Sequence, residues 1–364
     1  MRHREGREGL VLALGLGLAV LLAFAALGAG LLAGTAADSG VTSMPTRGSA
    51  AYDKSLGVNT DLTPNDTPAR AKAFSQIEAS GMRWLRLRFP WDEIELEQGV
   101  YVWDDWDEVI GEASQHDLRI LAVLDGSPSW AREDVDLQNA LAPPAETRAF
   151  GDFAAAFAQR YGDQIDHYQV WDEPNIAPHW GAREVDPAAY ARLLREGAIQ
   201  IRTADLEAVV LAAALAPTVE SGGANMSELL YLEKLYRHGA AEWFDGVAAQ
   251  LYDFGSPPDE PADPAQLNWQ RVALLRDIMD RHGDSETPVW AVSTGLGGAQ
   301  ASDVAATIEA ARDEWPWLGP VIWAAWMPGD ARGQYSLMDD ENRPQAVLDV
   351  LRSLAMAPPL AWPG

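Results

Sequence analysis

The 364-residue sequence predicts a (β/α)8 TIM barrel preceded by one N-terminal apolar helix, a transmembrane or signal segment. Three observations carry that expectation. Strand-like and helix-like segments alternate along the chain, which favours a parallel sheet with helical crossovers. Eight such units fit into the roughly 310 residues that follow the N-terminal segment, a length typical of a closed eightfold barrel. An open doubly wound sheet would carry a glycine-rich phosphate loop after its first strand, and none is present.

The N-terminal segment comes first. Arg2, Arg4 and Arg7 precede residues 10–33, which contain no charged side chain. About 20 apolar residues span a bilayer core, whereas a cleavable signal has an apolar core of only about 7–15. The small residues Gly34, Thr35, Ala36 and Ala37 would still suit a signal peptidase. An uncleaved anchor and a cleaved signal therefore both stay open. Basic residues before the span put the N-terminus inside and the remainder outside. The expected location is the cell membrane, with a single span and the barrel outside, or secretion if the segment is cleaved. The chain divides into residues 1–34 (anchor or signal), 35–51 (flexible linker) and 52–364 (barrel).

The barrel elements follow in order. Strands are expected over residues 55–59, 82–89, 118–124, 165–171, 209–215, 247–252, 289–293 and 321–326. Residues 118–124 form an almost unbroken apolar run, as a strand buried on both faces requires. Helices are expected over residues 67–79, 106–115, 147–161, 187–203, 227–238, 269–281, 302–314 and 343–354. Pro68 and Pro187 stand where a first helical turn tolerates proline, and Pro344 is placed in the same way in the closing helix. Phe150, Phe153, Ala154 and Phe157 recur at helical spacing.

Composition narrows the function. Acidic residues outnumber basic ones 54 to 27, a formal charge of −27. Such a surface repels phosphate backbones, so nucleic acid is excluded as a partner, and membrane contact is expected only through the N-terminal segment. With no cysteine there are no disulfides, no thiolate metal sites and no Cys nucleophile. No His pair has metal-ligand spacing and no Ser sits in a nucleophile elbow, so neither metal nor cofactor is expected. Nothing in the sequence specifies an oligomeric state. The 15 Trp residues are core candidates or, on loops at one barrel mouth, stacking surfaces for sugar rings.

Barrel chemistry sits where strands end and loops begin at the C-terminal mouth. There the sequence puts Arg86, Arg88 and Trp91, then Asp125 and Trp130, then Trp171-Asp172-Glu173-Pro174-Asn175. Gln250, Tyr252 and Asp253 end strand six, Ser293 and Thr294 end strand seven, and Trp326 and Asp330 follow strand eight. This mouth is acidic and aromatic.

Trp171-Asp172-Glu173-Pro174-Asn175 resembles the Trp-Asn-Glu-Pro motif of the clan A glycoside hydrolases. Trp84-Leu85-Arg86, Phe89-Pro90-Trp91, Gly99-Val100-Tyr101 and Trp103 resemble the strand-two region of xylosidase- and cellulase-like members. Ser127-Pro128-Ser129-Trp130-Ala131 resembles their strand-three loop, and Ser336-Leu337-Met338-Asp339 with Arg343-Pro344 their last turn and helix. The resemblance implies hydrolysis by two carboxylates, with Glu173 as acid/base and Arg86 steadying the nucleophile. It implies an oligo- or polysaccharide partner, bound by Asp172, Asn175, Trp91, Trp130, Trp180, Gln250, Tyr252, Ser293 and Trp326.

The sequence departs from that pattern at chemically decisive positions. The family's nucleophile ends strand seven in a Pro-x-Trp-x-Thr-Glu run; here Pro288-Val289-Trp290-Ala291-Val292 leads to Ser293. Asp172 replaces the usual Asn, Gln250 a frequent His, and Arg88 a frequent acid. Two functions therefore stand open. One is a glycosidase that recruits Asp125, Asp253 or Asp330 as its second carboxylate. The other is a non-hydrolytic carbohydrate-binding pseudoenzyme of the cell envelope. Two further expectations are geometric: Glu173 lies in the largest polar groove of the mouth, and Arg88 pairs with Asp172.

Overall fold

The computed structural model describes residues 54–60, 67–297, 300–328 and 333–356. The expected anchor, the linker and Asp330 lie outside the described residues. Eight parallel strands close into a barrel: β1 (Leu56–Asn59), β2 (Trp84–Pro90), β3 (Arg119–Asp125), β4 (His167–Asp172), β5 (Val209–Leu215), β6 (Gly246–Tyr252), β7 (Val289–Gly295) and β8 (Leu318–Trp323). Each pairs with its sequence neighbours, and β8 returns to β1 through Leu56–Val321 and Val58–Trp323. Helices α1 (Thr67–Ala79), α2 (Asp104–Gln115), α3 (Thr147–Tyr161), α4 (Pro187–Ala204), α5 (Glu228–Arg237), α6 (Val272–Arg281), α7 (Ala301–Glu314) and α8 (Ala346–Met356) follow the strands in turn. Among the described residues no helix is long and apolar enough to cross a membrane.

The barrel interior is filled by side chains. Trp84 meets Trp290 edge-on at 5.0 Å and His167 at 4.8 Å, and Leu121, Leu211, Ala248, Val292 and Ile322 complete the plug. Trp84 fits because β1 contributes Gly57 beside it, where a Cβ would stand 2.4 Å from Trp84 Cβ, and Trp290 lies against Gly246 of β6. A second, larger core lies between strands and helices. Phe150, Phe153, Phe157 and Tyr161 line the buried face of α3. Local chemistry fixes the helix starts. Asp186 accepts from Ala188 N ahead of Pro187, and Ser227 accepts from Leu229 N ahead of α5, each satisfying a free backbone donor.

Several boundaries differ from the sequence expectation, and those at the end of the chain bear on the mouth. The closing helix starts at Ala346, and Pro344 lies before it, bridged to Met338. Asp339 accepts from the backbone N–H of Glu341 and Arg343, and this turn holds the segment out of the helix. Strand eight ends at Trp323, although the Trp326 N–H still reaches Asn59 O. Registers shift between β5 and β6, between β6 and β7 and between β7 and β8. After the second shift Gln250 stands opposite Ser293.

Candidate active site

The mouth is built around Arg86. It is buried, and its three donors serve three neighbours: Nε to Gln169 Oε1 at 3.1 Å, Nη1 to Asn59 Oδ1 at 3.0 Å and Nη2 to Asp172 Oδ1 at 2.8 Å. Gln169 Nε2 donates to the same Asp172 oxygen at 2.9 Å. Burial alone would raise the Asp172 pKa. Arg86, His179 and the Gln169 amide outweigh burial and hold it below the ordinary carboxylate range.

Glu173 follows at the end of β4. Successive strand residues point to opposite faces. Here left-handed backbone at Trp171 (φ 69°) and Glu173 (φ 49°) breaks that alternation. Both neighbouring carboxylates consequently enter the mouth. Glu173 Oε1 accepts from Gln250 Nε2 at 2.6 Å, and Oε2 lies 3.3 Å from His179 Nε2. Burial and the adjacent Asp172 charge raise the Glu173 pKa, with His179 and Gln250 opposing. The two carboxyl groups are thus driven apart in pKa, one toward ionised and one toward protonated, as acid/base sites require. A non-glycine residue at positive φ is unfavourable, for a bulky indole above all, and such strain gathers at functional sites.

The expected pair of Arg88 with Asp172 is corrected. Arg88 Nε donates to Asp125 Oδ1 at 2.6 Å, and Arg86 takes Asp172. Arg88 lies opposite Val123, so Asp125 two residues along the adjacent strand is within its reach, and Asp172 is already engaged by Arg86 and Gln169. Asp125 is buried, and burial together with the Asp172 charge pushes its pKa up to about 6 against the pull of Arg88. Asp253 is also buried, its Oδ1 accepting from Gly297 N at 3.0 Å.

Ser293 stands opposite Gln250 and shares a 2.6 Å hydrogen bond with the Tyr252 hydroxyl. Tyr252 stacks on Tyr335 at 4.9 Å. Asn175 is fully buried: its Nδ2 donates to Ala216 O and Met226 O, and its Oδ1 accepts from Ala216 N. It ties two loops together and presents nothing to the mouth. The tryptophans expected as sugar platforms differ from that expectation. Trp91 is 0% exposed and stacked on Phe153, Trp180 is 3% exposed against Tyr190, and Trp326 is 1% exposed. Only Trp130 of the four keeps substantial open surface, with Nε1 donating to Glu95 O. An indole a residue or two past a strand end is drawn under the loop by its own apolar area.

A small recess beside Gln250 is lined by Leu215, Pro217, Phe254, Trp269 and Arg271, and Glu173 lies outside that lining. Another hollow, between Leu229, Leu230, Leu274 and Ile278, belongs to the outer helical ring. Gln250 and His179 close on Glu173 from either side. Among the described residues no group of three or more acidic or His side chains is arranged to hold a metal ion.

Sequence reasoning missed His179, Gln169 and Asn59. His179 had one usable signal, its position six residues beyond Glu173 in the same loop, held by Trp171 Nε1 donating to His179 O at 3.1 Å.

No model of a known family matches the sequence, and no curated protein matches it. Solved structures do match. A family 39 glycoside hydrolase from the gut symbiont Bacteroides cellulosilyticus is 16% identical with a TM-score of 0.67, over 84% of this chain and 64% of that one. A family 5 glycoside hydrolase from Streptomyces cattleya, in complex with GlcNAc, is 15% identical with a TM-score of 0.63, over 83% and 80%. A glucosidase from Croceicoccus marinus is 13% identical with a TM-score of 0.62, over 84% and 67%. This chain therefore spans about two thirds of the family 39 enzyme and of the glucosidase. The likeness is one of fold, the (β/α)8 barrel.

Proposed function

We propose that this chain acts on carbohydrate as a glycosidase outside the cytoplasmic membrane, with Glu173 as its acid/base and Ser293 where a strand-seven carboxylate would stand. One observation carries the reading: Glu173 is half-buried on left-handed backbone, between Gln250 and His179, with its pKa raised by burial and by the adjacent Asp172 charge. A carboxyl group whose pKa is raised at a barrel mouth is suited to donate a proton to a glycosidic oxygen. Arg86 supports that acid through Asp172.

A second reading, a sugar-binding barrel without turnover, is favoured by Ser293. Its hydroxyl is engaged by Tyr252, and no base among the described residues is hydrogen-bonded to it, so it is a poor nucleophile. The test is a panel of aryl glycosides offered to the wild type, Glu173→Gln and Ser293→Glu. The expected result is cleavage by the wild type and its loss, by at least ~100-fold, in Glu173→Gln. An inert wild type that gains turnover as Ser293→Glu is a disabled glycosidase. Inertness of both with measurable oligosaccharide binding selects the second reading, and absence of binding as well removes both.

Residues 10–33 motivate the location. The full chain should sediment with membranes and expose its barrel to protease from outside. A soluble product beginning near Ala37 or Asp38 would replace the anchor with a cleaved signal, and an intracellular barrel would overturn the location.

A further inference from the structure

The recess beside Gln250 lies between the ends of β5 and β6 and the helices α5 and α6. Its walls are mostly apolar, with Leu215, Pro217, Val272 and Leu275 among them. Glu228 and Arg271 also reach it, and they serve each other and nearby backbone groups. The free volume is about 20 Å³. A water-sized group needs about 10–15 Å³, so a hydroxyl fits and a sugar ring does not.

One polar atom of this wall is unmet. Asn268 is 3% exposed, its Nδ2 donates to Pro261 O at 2.9 Å, and its Oδ1 has no hydrogen-bond partner. A carbonyl can only accept, so the Pro261 bond fixes which way round the amide sits. Pro261 lies outside the recess wall, which leaves the Oδ1 end as the one turned to the recess. Nor is that oxygen spent on capping the helical turn that Asn268 precedes. A buried acceptor without a donor is costly, and this one stands in a hollow of hydroxyl size. Phe254 adds an aromatic edge to the same recess. It is 43% exposed, on left-handed backbone at φ 51°, and meets Tyr252 edge-on at 5.8 Å. A bulky residue is strained there, and its open ring offers a face for the C–H side of a sugar.

We propose that this recess is a sugar subsite that takes an exocyclic hydroxymethyl group, so that the substrates are hexopyranosides and not pentopyranosides. The proposal rests on the reading of the mouth as a carbohydrate site. The hydroxymethyl carbon lies against the apolar wall, its O–H donates to Asn268 Oδ1, and the ring rests at Phe254. Among the hydroxyls of a pyranose this one stands a bond away from the ring, so it can enter a hollow too small for the ring itself. Gln250 lines the recess and donates to Glu173 Oε1 at 2.6 Å, which sets the subsite one amide away from the acid.

The test is titration calorimetry of the full chain with methyl β-glycosides in matched gluco, manno and galacto series. Each series carries hydroxymethyl, methyl or hydrogen on ring carbon five. In the configuration that the mouth accepts, the hydroxymethyl member should bind most tightly. The methyl member should bind worst, ~10–100-fold more weakly, because it fills the recess and leaves Asn268 Oδ1 buried without a donor. The hydrogen member should fall between them, since it leaves room for a water. Asn268→Leu should weaken the hydroxymethyl member ~10–100-fold and leave the hydrogen member unchanged, which also reports that the variant is folded. Phe254→Ala should weaken all three alike, by ~5-fold. The wild-type series decides even if Asn268→Leu fails to fold. Equal affinities throughout every series, or a methyl member that binds best, overturn this inference and leave the carbohydrate reading standing. A hydroxymethyl preference that Asn268→Leu keeps overturns it too. Absence of binding by every glycoside removes the carbohydrate reading and this inference together.

Discussion

Arg86→Met is expected to destabilise the barrel by about 3–5 kcal/mol, the range for removing one partner of a buried ion pair. The guanidinium is 7% exposed and joins Asn59 on β1, Gln169 on β4 and Asp172. Methionine fills much of the volume and offers no donor. Asp172 is then left as a carboxylate among buried groups, with the Gln169 amide bonded to it and His179 nearby. The same substitution two residues along should cost less. Arg88 has 40% of its side chain exposed, and the buried Asp125 that it leaves can take up a proton, its pKa being already pushed up to about 6. The double variant Arg86→Met with Asp172→Leu should recover much of the loss, because replacing a whole buried pair by apolar groups is often neutral. Urea midpoints of the four proteins decide the matter. Equal costs for Arg86→Met and Arg88→Met would show that the Asp172 charge is held by something other than Arg86.

That contrast also marks where the sequence ran out. β5 and α3 coincide with the expected residues 209–215 and 147–161, because an apolar run and a helical Phe repeat report burial directly. The position of Glu173 was legible from its motif at a strand end. The partner of Arg88 was not, since pairing depends on register between strands that the periodicity of one strand does not contain. The tryptophans were ambiguous for a different reason. An indole after a strand end suits a platform or a core, and only the packing of Phe153 on Trp91 and Tyr190 on Trp180 decides between them. The left-handed residues around Asp172 carried no glycine to announce them, so the joint entry of two adjacent carboxylates was visible only in the fold.

The stability of the folded chain is expected to fall by about 2–3 kcal/mol as pH rises from 4 to 7, with Asp125 the main cause. Its pKa moves from 3.8 to about 6, chiefly through burial, with the Asp172 charge adding to the rise and Arg88 and His179 opposing it. Between those two values the folded protein holds a proton that the unfolded chain has released. The folded state therefore binds more protons in this window, and deprotonation there weakens it. Glu173, also raised, acts in the same direction. Asp172 acts oppositely and in another window: its pKa is lowered, so its stabilisation is present above the ordinary aspartate value and is lost as pH falls below it. Stability from this cluster should therefore peak near pH 4. Urea titrations at half-unit steps read the slope. Asp125→Asn should remove most of the decline, and adding Glu173→Gln should remove the remainder. Freeing Arg88 in Asp125→Asn shifts the whole curve without restoring a slope, because an arginine stays charged throughout this range. An Asp125→Asn variant that keeps the full decline would mean that Asp125 is ionised in the fold as readily as in water and that the acid reserve of this mouth lies with Glu173, whereas a wild type flat between pH 4 and 6 would remove it from both carboxyl groups.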